Sequence, residues 1–133
     1  MDFERLLEEA KSVRKKSYSP YSGFAVGTAI EDINGTVFSG CNVENLAFPS
    51  GLCAERTAIF KAVSEVGSSF KLKKVVIYTA TDAITTPCGA CRQVIEEFAI
   101  PETEIFCVGD GNNYLRIKFS DLHLYPTRIA KLE

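Results

Sequence analysis

Val75-Val76-Ile77, inside the segment Leu72 to Ala80, is a continuous apolar run of strand length. Such a run suits a central strand covered on both faces, so the chain must supply packing layers above and below a sheet. Helical periodicity supplies candidates for those layers. Phe3, Leu6, Leu7, Ala10 and Val13 predict an amphipathic helix over residues 2–16. Leu52 to Val66 repeats apolar residues at helical spacing and stops at Gly67. Thr86-Pro87 has the chemistry of an N-cap and first helical position, with Val94, Ile95 and Phe98 on the inner face of the helix that follows. Ser120 or Asp121 caps a short last helix.

The remaining segments read as strands. Phe24 to Ile33 and Thr36 to Cys41 flank Asn34-Gly35, a strong hairpin signal. Ile105 to Val108 and Tyr114 to Phe119 are joined by a short Gly/Asp/Asn link, which favours an antiparallel pair because a parallel crossover needs about a dozen residues. The order is α-β-β-α-β-α-β-β without repeats. It predicts an α/β fold, a three-layer α/β/α sandwich around a five-stranded mixed sheet. With 133 residues the chain is expected to be one domain, 1–133.

Charge narrows the partners. The formal net charge is -2 and no basic run occurs, so the phosphate-neutralising face of a nucleic-acid binder is missing. A small-molecule substrate is expected instead. No stretch approaches the roughly 20 apolar residues of a membrane span. The N-terminal residues are acidic and amphipathic, unlike a signal peptide, and a cytoplasmic location is expected. The five cysteines are an odd count, and in a reducing compartment closely spaced cysteines argue for metal or catalysis before disulfides.

Two short motifs carry the chemistry: Cys53-Ala54-Glu55 and Pro87-Cys88-Gly89-Ala90-Cys91. Cys88 and Cys91, three apart at a helix start, can turn their sulfurs the same way. Cys53 stands at the start of another helix. Positive helix N-termini favour the thiolate that binds metal. Three ligands leave one tetrahedral position open, as in catalytic zinc sites. A structural site would need a fourth ligand, for which Cys41, Cys107 and His123 are the spare candidates. A redox Cys-x-x-Cys pair is the other reading, and it has no need of Glu55. Zinc acidifies bound water, and Glu55 in the adjoining turn is placed to move the proton. Taken alone, Glu55 would pass for a surface residue of a helix start.

Zinc deaminases pair a His/Cys/Cys or Cys₃ metal site with a glutamate in an H-x-E…P-C-x-x-C pattern. This sequence has cysteine in place of the histidine. Together with Tyr18-Ser19-Pro20-Tyr21-Ser22, Phe24-Ala25-Val26-Gly27, Gly40-Cys41-Asn42-Val43-Glu44-Asn45, Cys53-Ala54-Glu55-Arg56-Thr57-Ala58 and Pro87-Cys88-Gly89-Ala90-Cys91-Arg92-Gln93, the chain resembles the small, free-standing cytidine deaminases over about 120 residues. The all-cysteine site is similar to that of the family's homotetrameric members.

The resemblance implies one zinc per chain on Cys53, Cys88 and Cys91. It implies hydrolysis of cytidine and 2′-deoxycytidine to the uridines with release of ammonia, a step of pyrimidine salvage. Water activated at the metal would attack C4 of the base while Glu55 protonates N3 and then the departing amine. Asn42 and Glu44 would grip the ribose, the Ala54 N–H would meet the base carbonyl, and Phe24 would wall the base. Read without the resemblance, Asn42 to Asn45 is a polar turn. A homotetramer with active sites completed by neighbouring subunits is implied as well.

Three thiolates around Zn²⁺ leave a formal charge of about −1, which opposes formation of hydroxide. Arg56 is the expected compensation, its guanidinium bonding thiolate, against the alternative of a surface arginine. Arg92 is a second candidate. Two departures from the family stand out: Phe48 where tyrosine is common, and Leu124-Tyr125-Pro126-Thr127-Arg128-Ile129 where a terminal phenylalanine normally follows Leu-Leu-Pro. Ile129 is expected at that phenylalanine's place. Competing functions are deamination of another nucleoside, editing of bases within RNA or DNA, and a non-enzymatic zinc or redox module.

Overall fold

Val75, Val76 and Ile77 are buried in the middle strand of a five-stranded sheet. The structure, a computed structural model, describes residues 2–111 and 113–127. Its elements are α1 (Glu4–Arg14), β1 (Val26–Asp32), β2 (Val37–Cys41), a single 3-10 turn (Phe48–Ser50), α2 (Ala54–Val66), β3 (Leu72–Thr79), α3 (Gly89–Phe98), β4 (Ala99–Val108), β5 (Tyr114–Lys118) and α4 (Phe119–Leu122). The sheet order is β2-β1-β3-β4-β5. Only β3 and β4 run parallel, joined through α3; the other neighbours are antiparallel. Among the described residues, no helix is long and apolar enough to cross a membrane.

Side-chain alternation divides the sheet between two cores. Ala29, Val76, Phe106 and Val108 meet Phe3, Leu6, Leu7 and Ala10 of the first helical segment. Ile30, Val75, Ile77, Ile105 and Cys107 face Ala58, Ile59 and Ala62 of α2 and Ile95 of α3. Two glycines set how closely the helices approach. A Cβ at Gly27 would lie 2.0 Å from the Ala10 carbonyl oxygen, and one at Gly40 would lie 2.5 Å from the Ala58 nitrogen. Only glycine permits either contact.

Several local details differ from expectation. The β1–β2 connection is not a two-residue Asn34-Gly35 turn. Asp32 N–H donates to the Thr36 carbonyl at 3.0 Å, leaving Ile33-Asn34-Gly35 as the loop. Gly35 has φ +82°, whereas no described non-glycine residue has positive φ, and a type I′ turn requires it at both central positions. The Asp32 carboxylate accepts from the N–H groups of Asn34 and Thr36, both at 2.9 Å, and so fixes the longer loop. α3 begins at Gly89 with an extended Cys88 before it, not at Pro87, and the Thr86 hydroxyl accepts from Arg92 at 3.2 Å and does not cap the helix. α4 starts at Phe119, ahead of both expected caps, Ser120 and Asp121, with that ring buried. β4 starts at Ala99 through an irregular pairing with β3. Buried Thr103 closes the irregularity, donating to the Leu72 carbonyl at 2.7 Å and accepting from Ile100 N–H at 2.8 Å.

The topology gathers three connections at one end of the sheet. Val26, where β1 begins, pairs with Thr79, where β3 ends. Cys41, where β2 ends, pairs with Gly27. Loops 15–25, 42–53 and 80–88 therefore leave the same edge, where open α/β sheets bind ligands beyond a strand's carboxyl end.

Candidate active site

Two of the three motif cysteines stand immediately before helices. Cys53 precedes α2 with ψ 157° and Cys88 precedes α3 with ψ 170°, both extended. Neither sulfur caps the helix that follows, so both remain free to bind elsewhere. Cys91 lies one turn into α3 and is fully buried. The Cys53 and Cys88 sulfurs are 3.8 Å apart, and all three lie within 4.8 Å of one another. Zinc–sulfur bonds of about 2.3 Å require a tetrahedral sulfur–sulfur edge of about 3.8 Å. The donor set therefore fits zinc in chemistry and spacing. Among the described residues, Cys41, Cys107 and His123 do not belong to this group.

Three sulfurs so close cannot all carry negative charge without a cation. The Cys53 thiol is drawn down to about 5, first by its hydrogen bond with Cys91, then by Arg56 and Cys88, against the effect of burial. Cys91 is pushed upward by the same contact with Cys53 and by its burial. A Cys53 thiolate facing a guanidinium is a ready metal ligand. Arg56 donates from Nη2 to the Cys53 sulfur at 3.5 Å, so it faces the site and does not point to open solvent. Its buried Nε has no protein partner. Arg92 does something else: it donates to the Pro87 carbonyl at 2.8 Å and to the Leu122 carbonyl at 3.0 Å, bracing the approach to α3.

Glu55, in the first turn of α2, is 5% exposed. Burial pushes its carboxyl above the usual range, and the nearby Cys53 charge adds to that. Thr28 on β1 approaches one carboxyl oxygen at 3.5 Å, a long hydrogen bond from a fully buried hydroxyl. Thr28 was not among the expected site residues. Its signal was a hydroxyl in the strand Val26-Gly27-Thr28-Ala29-Ile30, on the same side as Ile30 and hence facing α2.

The site opens into two adjoining cavities. One of about 230 Å³ is lined by Phe24, Asn42, Glu44, Ala54, Glu55 and Cys88, among others. The other, about 380 Å³, shares Asn42, Glu44 and Cys53 with it and is walled by Phe48, Leu52 and Arg56. The expected base and sugar residues thus meet the metal cluster in one place. Asn42 accepts through Oδ1 from Val26 N–H at 2.9 Å and from the Ser17 hydroxyl. It donates through Nδ2 to the Phe24 carbonyl at 2.8 Å, which leaves one amide N–H for a ligand. Glu44 is held by Tyr21 and Ser22, and these bonds lower its pKa. Ser17 and Ser22 were missed as site residues, since their contacts join segments about twenty residues apart. Ile129 lies outside the described residues.

Known proteins agree with this geometry. The family model described as "Cytidine and deoxycytidylate deaminase zinc-binding region" matches residues 1–107. A cytidine deaminase of Sporosarcina psychrophila is 46% identical over 132 residues, covering 99% of this chain and 88% of the relative. A cytidine deaminase of Halalkalibacterium halodurans is 40% identical over 122 residues, covering 92% and 91%. The crystal structure of a cytidine deaminase from Burkholderia pseudomallei superposes with a TM-score of 0.83 at 37% identity, over 92% of this chain and 96% of that one. With a sheet end that gathers three cysteines at zinc spacing beside a buried glutamate, the chain belongs to the zinc-dependent cytidine deaminase family.

Proposed function

We propose that the protein hydrolyses cytidine and 2′-deoxycytidine to uridine and 2′-deoxyuridine with release of ammonia. Cys53, Cys88 and Cys91 hold one zinc per chain, and Glu55 moves the protons. The observation that carries this reading is the buried Glu55 carboxyl in one cavity with Cys53, Cys88, Asn42 and Glu44. When bound, zinc supplies a Lewis acid that makes water nucleophilic at neutral pH.

Glu55 takes a proton from the attacking water and passes it to N3 of the base, then takes the proton of the hydroxyl added at C4 and delivers it to the amine as the C4–N bond breaks. Its raised pKa suits it to hold a proton between these transfers. C4 gains the oxygen and becomes a carbonyl, and ammonia leaves, so atoms balance. Ala54 opens α2, where backbone N–H groups lack intrahelical acceptors, and its N–H is free to meet the base carbonyl. Phe24 walls the base. The free amide N–H of Asn42 and the carboxylate of Glu44 bind sugar hydroxyls. Arg56 draws negative charge from the thiolates.

The reading extends to residues 1–133 acting as one domain in the cytoplasm, in pyrimidine salvage. It extends also to a homotetramer whose neighbours complete each site. Phe48, in the wall of the larger cavity, and Leu46, two residues before it, are each 80% exposed and support that assembly as apolar surface in want of cover. A monomer in sedimentation equilibrium would contradict it. The activity is tested by ultraviolet assay of the zinc-loaded protein against cytidine, deoxycytidine, cytosine and adenosine. Both cytosine nucleosides are expected to be consumed quickly, cytosine poorly and adenosine not at all. Inactivity on both nucleosides would refute the proposal.

A further inference from the structure

Glu44 is held in place by the segment that precedes β1. One carboxylate oxygen accepts the N–H groups of Tyr21 and Ser22, each at 3.0 Å, and the other accepts the Ser22 hydroxyl. That hydroxyl also accepts from Phe24 N–H at 3.0 Å. A single serine therefore links the wall of the base cavity to the carboxylate beside it. Gly23, at φ +69°, is the residue that lets the chain turn between them. The backbones are tied as well: Tyr18 N–H donates to the Asn42 carbonyl at 3.1 Å, and Glu44 N–H donates to the Tyr18 carbonyl at 2.8 Å.

An exposed glutamate ordinarily keeps its rotamer freedom in water, and ordering it on binding a ligand weakens affinity. Here three donors from two consecutive residues order it beforehand. One acceptor site of the carboxylate is left over for a ligand. We propose that Ser22 is a positioning residue for nucleoside recognition, its hydroxyl and N–H fixing Glu44 in the rotamer that meets the sugar. This rests on the reading of Glu44 as a sugar-binding residue. Ser22 acts chiefly through Glu44, with a lesser contact to the base wall through Phe24 N–H, so its removal costs substrates that carry a sugar far more than those that do not.

The test is a double-mutant cycle on zinc-loaded protein, assayed with cytidine and with cytosine. Ser22→Ala is expected to raise the KM for cytidine about tenfold, the effect of one charge-assisted hydrogen bond, with kcat nearly unchanged. Its kcat/KM for cytosine should stay within about twofold of the parent, and its zinc content and thermal midpoint should match the parent's. Ser22→Thr, which keeps a hydroxyl, should restore the KM. Added to Glu44→Ala, Ser22→Ala should cost nothing further. An unchanged KM, equal losses on both substrates, or additive penalties with Glu44→Ala would each overturn the inference. If Glu44→Ala itself penalises both substrates equally, the sugar-binding reading fails. If Glu44→Ala is selective and Ser22→Ala silent, only the positioning role fails.

Discussion

Cys53, Cys88 and Cys91 differ from Cys41 and Cys107 in surroundings more than in chemistry. Cys107 sits on β4 in the core, where burial pushes its thiol up to about 12, and it lies outside the group of three sulfurs within 4.8 Å of one another. Cys53→Ala, Cys88→Ala and Cys91→Ala should each lose zinc and activity, while Cys41→Ala and Cys107→Ala keep about one zinc per chain by elemental analysis. Full occupancy in Cys53→Ala would remove it as a ligand. Arg56 carries a second prediction. Without its guanidinium at the Cys53 sulfur, more negative charge stays at the metal and water there ionises at higher pH. Arg56→Gln should therefore retain zinc but move the acidic limb of the kcat/KM profile upward; an unmoved limb would return Arg56 to a packing role. The ligands and Glu55 were legible because their spacing is local to two helix starts. Thr28 and Ser22 were not, because each acts on a carboxylate more than twenty residues away and nothing beside either residue marks the pairing. Arg92 shows the converse error. Named as a second candidate to compensate the thiolates, it instead gives its guanidinium hydrogen bonds to carbonyls of the loop and of α4.

At the scale of elements, the position of α2 decides whether Cys53 and Glu55 reach the site. Gly40 on β2 admits that helix: an added Cβ would meet the Ala58 nitrogen at 2.5 Å, the Thr57 Cβ at 2.9 Å and the Ala54 carbonyl oxygen at 3.0 Å. Two of these atoms are helix backbone and cannot step aside alone. Gly40→Ala should push α2 outward, destabilise the protein by roughly 1–3 kcal/mol as overpacking does, and weaken zinc binding. Denaturant unfolding and a zinc competition titration check this, and parent-like values in both would show that the contact tolerates a methyl. The helices and strands themselves were legible from periodicity and apolar runs. Their ends were not, since side chains claimed the deciding hydrogen bonds. Asp32 accepts from the hairpin loop, so Asn34 never takes the positive φ that its pairing with Gly35 suggested. Thr86 accepts from Arg92 and does not cap α3, which starts at Gly89 with Cys88 just outside it. That shift matters for the metal: an extended residue ahead of the helix leaves its sulfur free to turn toward Cys53.

Across the whole molecule, the sheet brings together groups that the sequence keeps apart. Segment 17–24, loop 42–53 and the start of α3 share one sheet end because β1 is antiparallel to both β2 and β3. The layered fold could be anticipated, since Val75-Val76-Ile77 demanded cover on both faces and the helices could provide it. The meeting of three connections at one end depended on strand order, which apolar patterning alone does not encode. The account makes Glu55 the proton carrier within a metal site that forms without it. Its most direct test is the turnover of cytidine by Glu55→Gln at measured zinc occupancy. The expected result is a folded protein with about one zinc per chain, whose kcat falls by at least the roughly 10²–10⁴-fold typical of a lost acid–base group. Turnover near that of the parent, with zinc fully bound, would contradict the central claim.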